Sequence, residues 1–146
     1  MSKSNPTDKQ IDERIIKFIK KHHVLTLASS NNNMPYCASC FYAYIKDDNT
    51  FVFTSDEKTK HMKDALQQPV VAGTIALETK IIGKIQGIQF QGILSEASEK
   101  KAKNAYLKRF PFAILADTKL WVIKLTFVKF TDNRLGFGKK LIWEGL

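Results

Sequence analysis

The 146-residue chain has no run of apolar residues near the roughly 18 that a membrane-spanning helix needs, which excludes a helical membrane span. Its opening, "MSKSNPTDKQ", lacks the apolar middle of a secretory signal, so a cytoplasmic address is the expectation. Cysteine is scarce, and Cys37 and Cys40 in "CASC" are the only two. Their C-x-x-C spacing would suit zinc or thiol redox chemistry. The surrounding "PYCASCFYAYI" reads instead as an extended strand, in which residues three apart point to opposite faces and cannot close on one metal. His22, His23 and His61 stand at unfamiliar spacing for completing a zinc site, so both cysteines are expected to pack and no metal site is expected.

Acidic residues are also few, 14 Asp and Glu against 23 Lys and Arg, and the formal charge of +9 favours anionic partners without naming one. Much of the excess lies at Lys17, Lys20 and Lys21 and at Lys100, Lys101, Lys103, Lys108 and Arg109, on two predicted helices whose charges read first as solvated faces. Nucleic acid is therefore not the expected partner. There is no G-x-S-x-G elbow, no H-E-x-x-H, no Walker loop and no G-x-G-x-x-G between a strand and a helix. If the chain is an enzyme, its difficult chemistry belongs to a cofactor. Repeats, low-complexity tracts and linkers are absent too, so residues 1–146 read as one domain, with 1–6 frayed.

What is present is a regular alternation of short elements. Thr7-x-x-Gln10 fits a capping box ahead of an amphipathic helix over about residues 8–21. "HVLTLAS", "PYCASCFYAYI" and "TFVFT" read as three strands of a meander, joined by the turns "NNN" and "KDDN", with Pro35 at the start of the second strand. A brief helix over about 59–67 stops before Pro69. "VVAGTIA" and "KIQGIQFQGILSEA" supply two more strands, and Gly87 and Gly92 suggest bulges of the kind a closing barrel uses. A helix over about 98–110 presents Ala102, Ala105 and Tyr106 inward, and "KLWVIKLTFVKFT" is the last long strand. Six strands and three helices in this order predict an α+β, mainly β fold: a six-stranded antiparallel barrel with flanking helices.

The junction "TFVFTSDEKTKHM" changes character in its middle. A helix starting near Thr59 leaves its first N–H groups unpaired and presents a partial positive charge. Lys60 adds a full charge, and Thr54, Ser55 and Thr59 add hydroxyl donors. Two readings stand at this stage: a loop that is polar because it is solvated, or a seat for a terminal phosphate.

The order of segments from about Val24 to Trp143 resembles the flavin-binding split barrels related to pyridoxamine 5'-phosphate oxidase, especially the small bacterial members. In that family a turn and a "P-Y" step open the strand along the flavin, as in "NNMPYCASCFYAY". A strand ending in aromatic-Thr then leads to a hydroxyl or Arg followed by Lys, as in Phe53-Thr54 and Thr59-Lys60. "QFQGILSEAS" and the helix ending "YLKRFP" are similar to the family as well.

The resemblance implies a split barrel binding FMN. Phe53, Thr54, Ser55, Thr59 and Lys60 would be cofactor contacts, with Lys60 on the phosphate. Ser39 and Cys40 would border the isoalloxazine or ribityl chain, and Gln89 or Gln91 would approach the ring. It also implies a homodimer with the cofactor site at its interface, Lys139 or Lys140 giving a basic contact across the dimer. Ala38 stands where the oxidase has an Arg on the flavin phosphate, and the Arg and His that grip the vitamin phosphate are absent near residues 136–138. Oxidation of pyridoxamine phosphate is therefore not expected. The implied activity is hydride transfer by FMN to or from an unidentified small molecule, and the alternative is a module that binds a flavin, deazaflavin or haem without turnover.

Overall fold

The computed structural model describes residues 10–115, 119–137 and 139–145. Among them the helices are α1 (Glu13–Lys21), α2 (Lys60–Gln67) and α3 (Lys100–Arg109). The strands are β1 (Val24–Asn31), β2 (Met34–Ile45), β3 (Thr50–Thr54), β4 (Val70–Ala76), β5 (Gln86–Glu96), β6 (Leu120–Asp132) and β7 (Lys140–Glu144). All pairings are antiparallel. The order is β3-β2-β1-β4-β5-β6, and β6 returns to β3, which closes a six-stranded barrel. The fold is the α+β barrel that the strand pattern predicts, and it is split as the family resemblance implies.

The barrel splits because β3 is short. Its five residues pair with the first part of β6, and β7 takes the same edge of β6 from Phe127 onward. The changeover lies beside a bulge, where the β5–β6 register slips between Gln91 and Gly92. A Cβ on Gly92 would meet Ile123 Cγ2 at 2.6 Å and the Lys124 carbonyl oxygen at 2.7 Å, so only glycine fits there. Periodicity predicts six strands, and β7 is a seventh. Its Leu141 and Trp143 oppose Phe130 and Val128, with Trp143 buried. Gly73 has a similar role on the other side, since the Thr26 carbonyl and the Phe90 ring occupy the place a side chain would take.

The β1–β2 hairpin turns through Asn32 and Asn33, both in left-handed conformation (φ 51° and 63°), which asparagine tolerates well. The first helix starts later than the capping-box reading predicts. Thr7 lies outside the described residues and Gln10 is not helical. The cap is Asp12, whose carboxylate accepts from the Arg14 N–H at 2.8 Å. Ile11 before it and Ile16 in the next turn are both buried in the core, in the positions of a hydrophobic staple.

Inside the barrel lie Leu25, Leu27, Tyr42, Phe51, Phe53, Phe90 and Trp121, with α1 adding Ile15 and Ile19 and α2 adding Met62 and Ala65. A smaller cluster sits outside the wall, where Ala102 and Tyr106 of α3 cover Ala43, Ile45 and Val52. One stretch does not follow the alternation. In β2 the residues Met34, Pro35, Tyr36 and Cys37 are all exposed, so both faces of this leading half are open.

Candidate functional site

The end of β3, the loop after it and the first turn of α2 make one corner. The residue before β6 and the strand's start anchor it: the Ser55 N–H and Thr54 Oγ1 both donate to the Lys119 carbonyl, at 3.3 and 3.1 Å. Trp121 Nε1 donates to the Ser55 carbonyl at 2.8 Å. The loop then tightens on itself, with Asp56 Oδ1 accepting from the Lys58 N–H at 2.8 Å and Thr59 Oγ1 donating to the Asp56 carbonyl at 2.7 Å. Thr59 is the N-cap residue of α2, yet its side chain does not cap the helix. As at any helix start, the leading N–H groups of α2 have no intrahelical partner, and here the cap side chain does not take them up.

Three of the predicted residues line this opening. Ser55 Oγ shares a 2.7 Å hydrogen bond with His61 Nε2, and Thr59 Oγ1 lies 3.4 Å from the same nitrogen. Lys60 Nζ sits 3.0 Å from Asp64 Oδ2 and 5.1 Å from the centre of the Tyr36 ring on β2. The carboxylate of this pair is 9% exposed and the lysine 59%, so the lysine keeps a side open to solvent. Asp64 is not among the residues the sequence analysis singled out, although its position four after Lys60 on a helix is a signal that could have found it. Tyr36 and Trp121 carry no such signal, since they join the corner from strands far away in sequence.

The structure separates the other predicted residues. Phe53 is fully buried in the core, so any contact it makes there runs through its backbone. Cys40 faces inward and is buried, and burial pushes its thiol up to about 11. Ser39, next to it, is exposed on the opposite, outer face. There it pairs with Thr26, which pairs in turn with Thr74 and Gln89 across β1, β4 and β5. Gln91 lies in the adjoining row, with Cys37, Ala28 and Ala72. These rows form an outer face of small and polar side chains. Lys140 opposes Thr131 near the far end of β6, whereas the corner lies at the β6 start, so within one chain the two do not meet.

Burial also lowers the His61 pKa below its ordinary value, and likewise that of His22. The unfolded chain then takes up protons before the folded one, so stability is present above the ordinary histidine pKa of 6.5 and falls as pH drops below it. Urea midpoints measured from neutral to mildly acidic pH should fall more for wild type than for His61→Gln. Parallel curves would show that His61 carries none of the dependence.

No family model matches the chain. A UPF0306 protein of Yersinia pseudotuberculosis serotype O:1b (strain IP 31758) is 38% identical over 144 residues, covering 97% of this chain and 96% of the relative. The chain belongs to the UPF0306 family. Among solved structures, a haem-binding protein from Mycobacterium smegmatis superposes on the UPF0306 chain with a TM-score of 0.71 at 15% identity, over 88% of this chain and 57% of that one. An FAD-binding protein from Mesorhizobium loti gives 0.66 at 15% identity, over 81% and 91%. A pyridoxamine 5'-phosphate oxidase-like protein from Listeria innocua gives 0.68 at 12% identity, over 81% and 95%. At such identities the likeness establishes the split barrel for the UPF0306 chain.

Proposed function

We propose that this UPF0306 protein binds FMN at the β3–α2 corner, within a homodimer, and works as a flavin-dependent oxidoreductase on a small molecule. The observation that carries the reading is the leading half of β2, open on both faces beside the free N-terminus of α2 and its Lys60. A closed barrel rarely leaves a strand bare on both sides, and a planar cofactor with a second subunit over it would cover both. Fold neighbours that bind FAD or haem support a cofactor in this architecture.

The residues fit the phosphate end of a flavin. Ser55 offers a hydroxyl when His61 Nε2 donates to it, α2 offers N–H groups, and Lys60 offers a charge that Asp64 holds in place, whereas the Thr59 hydroxyl is spent on the Asp56 carbonyl. Ser39 and Gln91 lie on the outer face that a second copy would cover, and Lys140, remote from its own corner, would reach only the partner's. When bound, the flavin supplies hydride transfer at its ring, and the chain supplies anchoring, orientation and exclusion of water.

Lys60→Ala is expected to weaken FMN binding roughly thirtyfold, about 2 kcal/mol for one charged phosphate contact. A titration of flavin fluorescence measures this. Lys60→Ala/Asp64→Asn removes the orphaned carboxylate, so a loss that persists in the double variant belongs to the phosphate contact itself. Equal affinity in all three proteins would remove Lys60 from the site. The visible spectrum of the purified protein separates the alternatives, since haem gives a Soret band and flavin does not. Reduction of bound flavin by a nicotinamide nucleotide, followed by reoxidation by an acceptor, distinguishes an enzyme from a carrier.

A further inference from the structure

Each hydroxyl at the corner has one proton to give, and two of the three are committed. Thr54 Oγ1 donates to the Lys119 carbonyl at 3.1 Å and Thr59 Oγ1 to the Asp56 carbonyl at 2.7 Å. The third belongs to Ser55, whose Oγ lies 2.7 Å from His61 Nε2. That contact runs either way, because an imidazole nitrogen accepts when bare and donates when protonated. With Nε2 bare, Ser55 gives the ring its proton and turns lone pairs towards the opening, which repels an anion. With Nε2 protonated, Ser55 accepts from the ring and its own O–H is released for a ligand. Tautomerisation of the neutral ring also reverses the bond, but only protonation brings a positive charge with it.

The surroundings leave that charge unanswered. On α2, Asp64 is paired with Lys60 at 3.0 Å, and Lys63, like Lys58 before the helix, is a like charge. In the loop, Asp56 Oδ1 accepts from the Lys58 N–H, and Glu57 pairs with Lys119 at 3.1 Å. Helix α2 packs on β1, β2 and β5. Strand β1 has no ionisable side chain, and β5 has only Glu96, 3.9 Å from Lys119. Strand β2 brings Tyr36 beneath Lys60, exposed Cys37, buried Cys40, and Tyr42 and Tyr44, whose hydroxyls donate to Ile19 and Asn49. Among the described residues no acid pairs with His61, and burial keeps its imidazole below the ordinary pKa, so it is neutral at neutral pH.

We infer that His61 is a proton switch for the phosphate seat: it takes one proton from solvent as a phosphate ester enters, and then turns the Ser55 hydroxyl towards that ester. This role presupposes the FMN reading of the corner, to which it adds a second cation beside Lys60 and a pH-dependent affinity. An incoming dianion supplies the counter-charge that His61 otherwise lacks, so the imidazole pKa rises on binding. Affinity therefore increases as pH falls from the pKa of the bound state to the lower one of the free protein. His61 acts both as a positioning residue for Ser55 and as a charge of its own.

The test is a fluorescence titration of the flavin-free full-length protein with FMN across pH, beside His61→Gln, which keeps a side-chain donor without the charge. The ratio of wild-type to His61→Gln affinity should rise about tenfold from about pH 8 to about pH 5, the effect of roughly one unit of pKa gained on binding. Taking the ratio cancels the second ionisation of the FMN phosphate, at roughly pH 6. Calorimetry at about pH 7, in buffers of different ionisation enthalpy, should register proton uptake with FMN in wild type and none in His61→Gln. Riboflavin, which lacks the phosphate, should bind wild type without proton uptake, a comparison that needs no variant to fold. Ser55→Ala should weaken FMN binding and keep the pH dependence, because the charge remains. A ratio flat with pH, or no proton uptake by wild type, would overturn the switch while the Lys60→Ala loss keeps the corner as the phosphate site. FMN bound equally by wild type, Lys60→Ala and His61→Gln at every pH would overturn the corner as well.

Discussion

Trp121→Ala is expected to lower the free energy of unfolding by about 4 kcal/mol, the range for deleting a large buried aromatic side chain. The indole is 2% exposed and opposes Phe53 in the β3–β6 pairing that closes the barrel. Its removal therefore opens a cavity at the seam, where β3 contributes only five residues. The same side chain ends in the hydrogen bond to the Ser55 carbonyl, so the seam and the corner share one anchor. Trp121→Phe keeps most of the packing and removes only that bond, for a loss of about 1 kcal/mol. Urea denaturation of the three proteins measures both steps. A loss below about 2 kcal/mol in Trp121→Ala would mean that the seam closes without the indole.

Arg109→Ala is expected to cost about 3 kcal/mol, through three carbonyls left without their charged donor. Nη1 donates to the Tyr42 carbonyl at 2.9 Å, and Nη2 donates to those of Lys20, at 3.0 Å, and His22. Those of Lys20 and His22 lie at the end of α1, where a helix has no internal donors left to give. The guanidinium also lies 5.1 Å from the Tyr42 ring centre and 5.7 Å from that of Phe110. One side chain thus ties α3 to α1 and β2. Arg109→Lys should recover only part of the loss, because a single ammonium cannot span three acceptors. Hydrogen exchange adds a local readout: amides of α1 should lose protection before those of β5 and β6. Uniform protection in the alanine variant would show that α1 is held without Arg109.

Much of the fold was legible because it is written in short-range pattern. "TFVFT" and "VVAGTIA" read as strands, and the structure has β3 and β4 there, with Phe51, Phe53, Val71 and Ile75 buried. Parity also separates Cys37 from Cys40, one exposed and one buried, so the expectation that both cysteines pack holds for Cys40 and fails for Cys37, which lies on the outer face of β2. The helix over 98–110 matches α3 with Ala102 and Tyr106 inward. The reading failed where two local signals competed. Thr7 with Gln10 looked like a capping box, yet Asp12 with its own Arg14 fork and the Ile11–Ile16 staple starts the helix. It also failed at β7, a five-residue strand after a glycine-bearing loop that is too short to announce itself before its partner β6 is known.

Of the candidate site, the corner from Thr54 to Lys60 was visible as a strand running into a helix start with hydroxyls and a lysine. Tyr36 beneath Lys60 and Trp121 behind Ser55 were not visible, and neither was the distance that keeps Lys140 away from its own corner. By itself the sequence determined which residues face inward, where the chain turns and what chemistry the corner can offer, since each of these depends on neighbours within one helical turn or one hairpin. Only the tertiary structure decided that β6 serves both β3 and β7 and that Arg109 closes the end of α1. Those contacts join residues up to 89 positions apart, and their register follows from how the barrel closes, which no local spacing encodes.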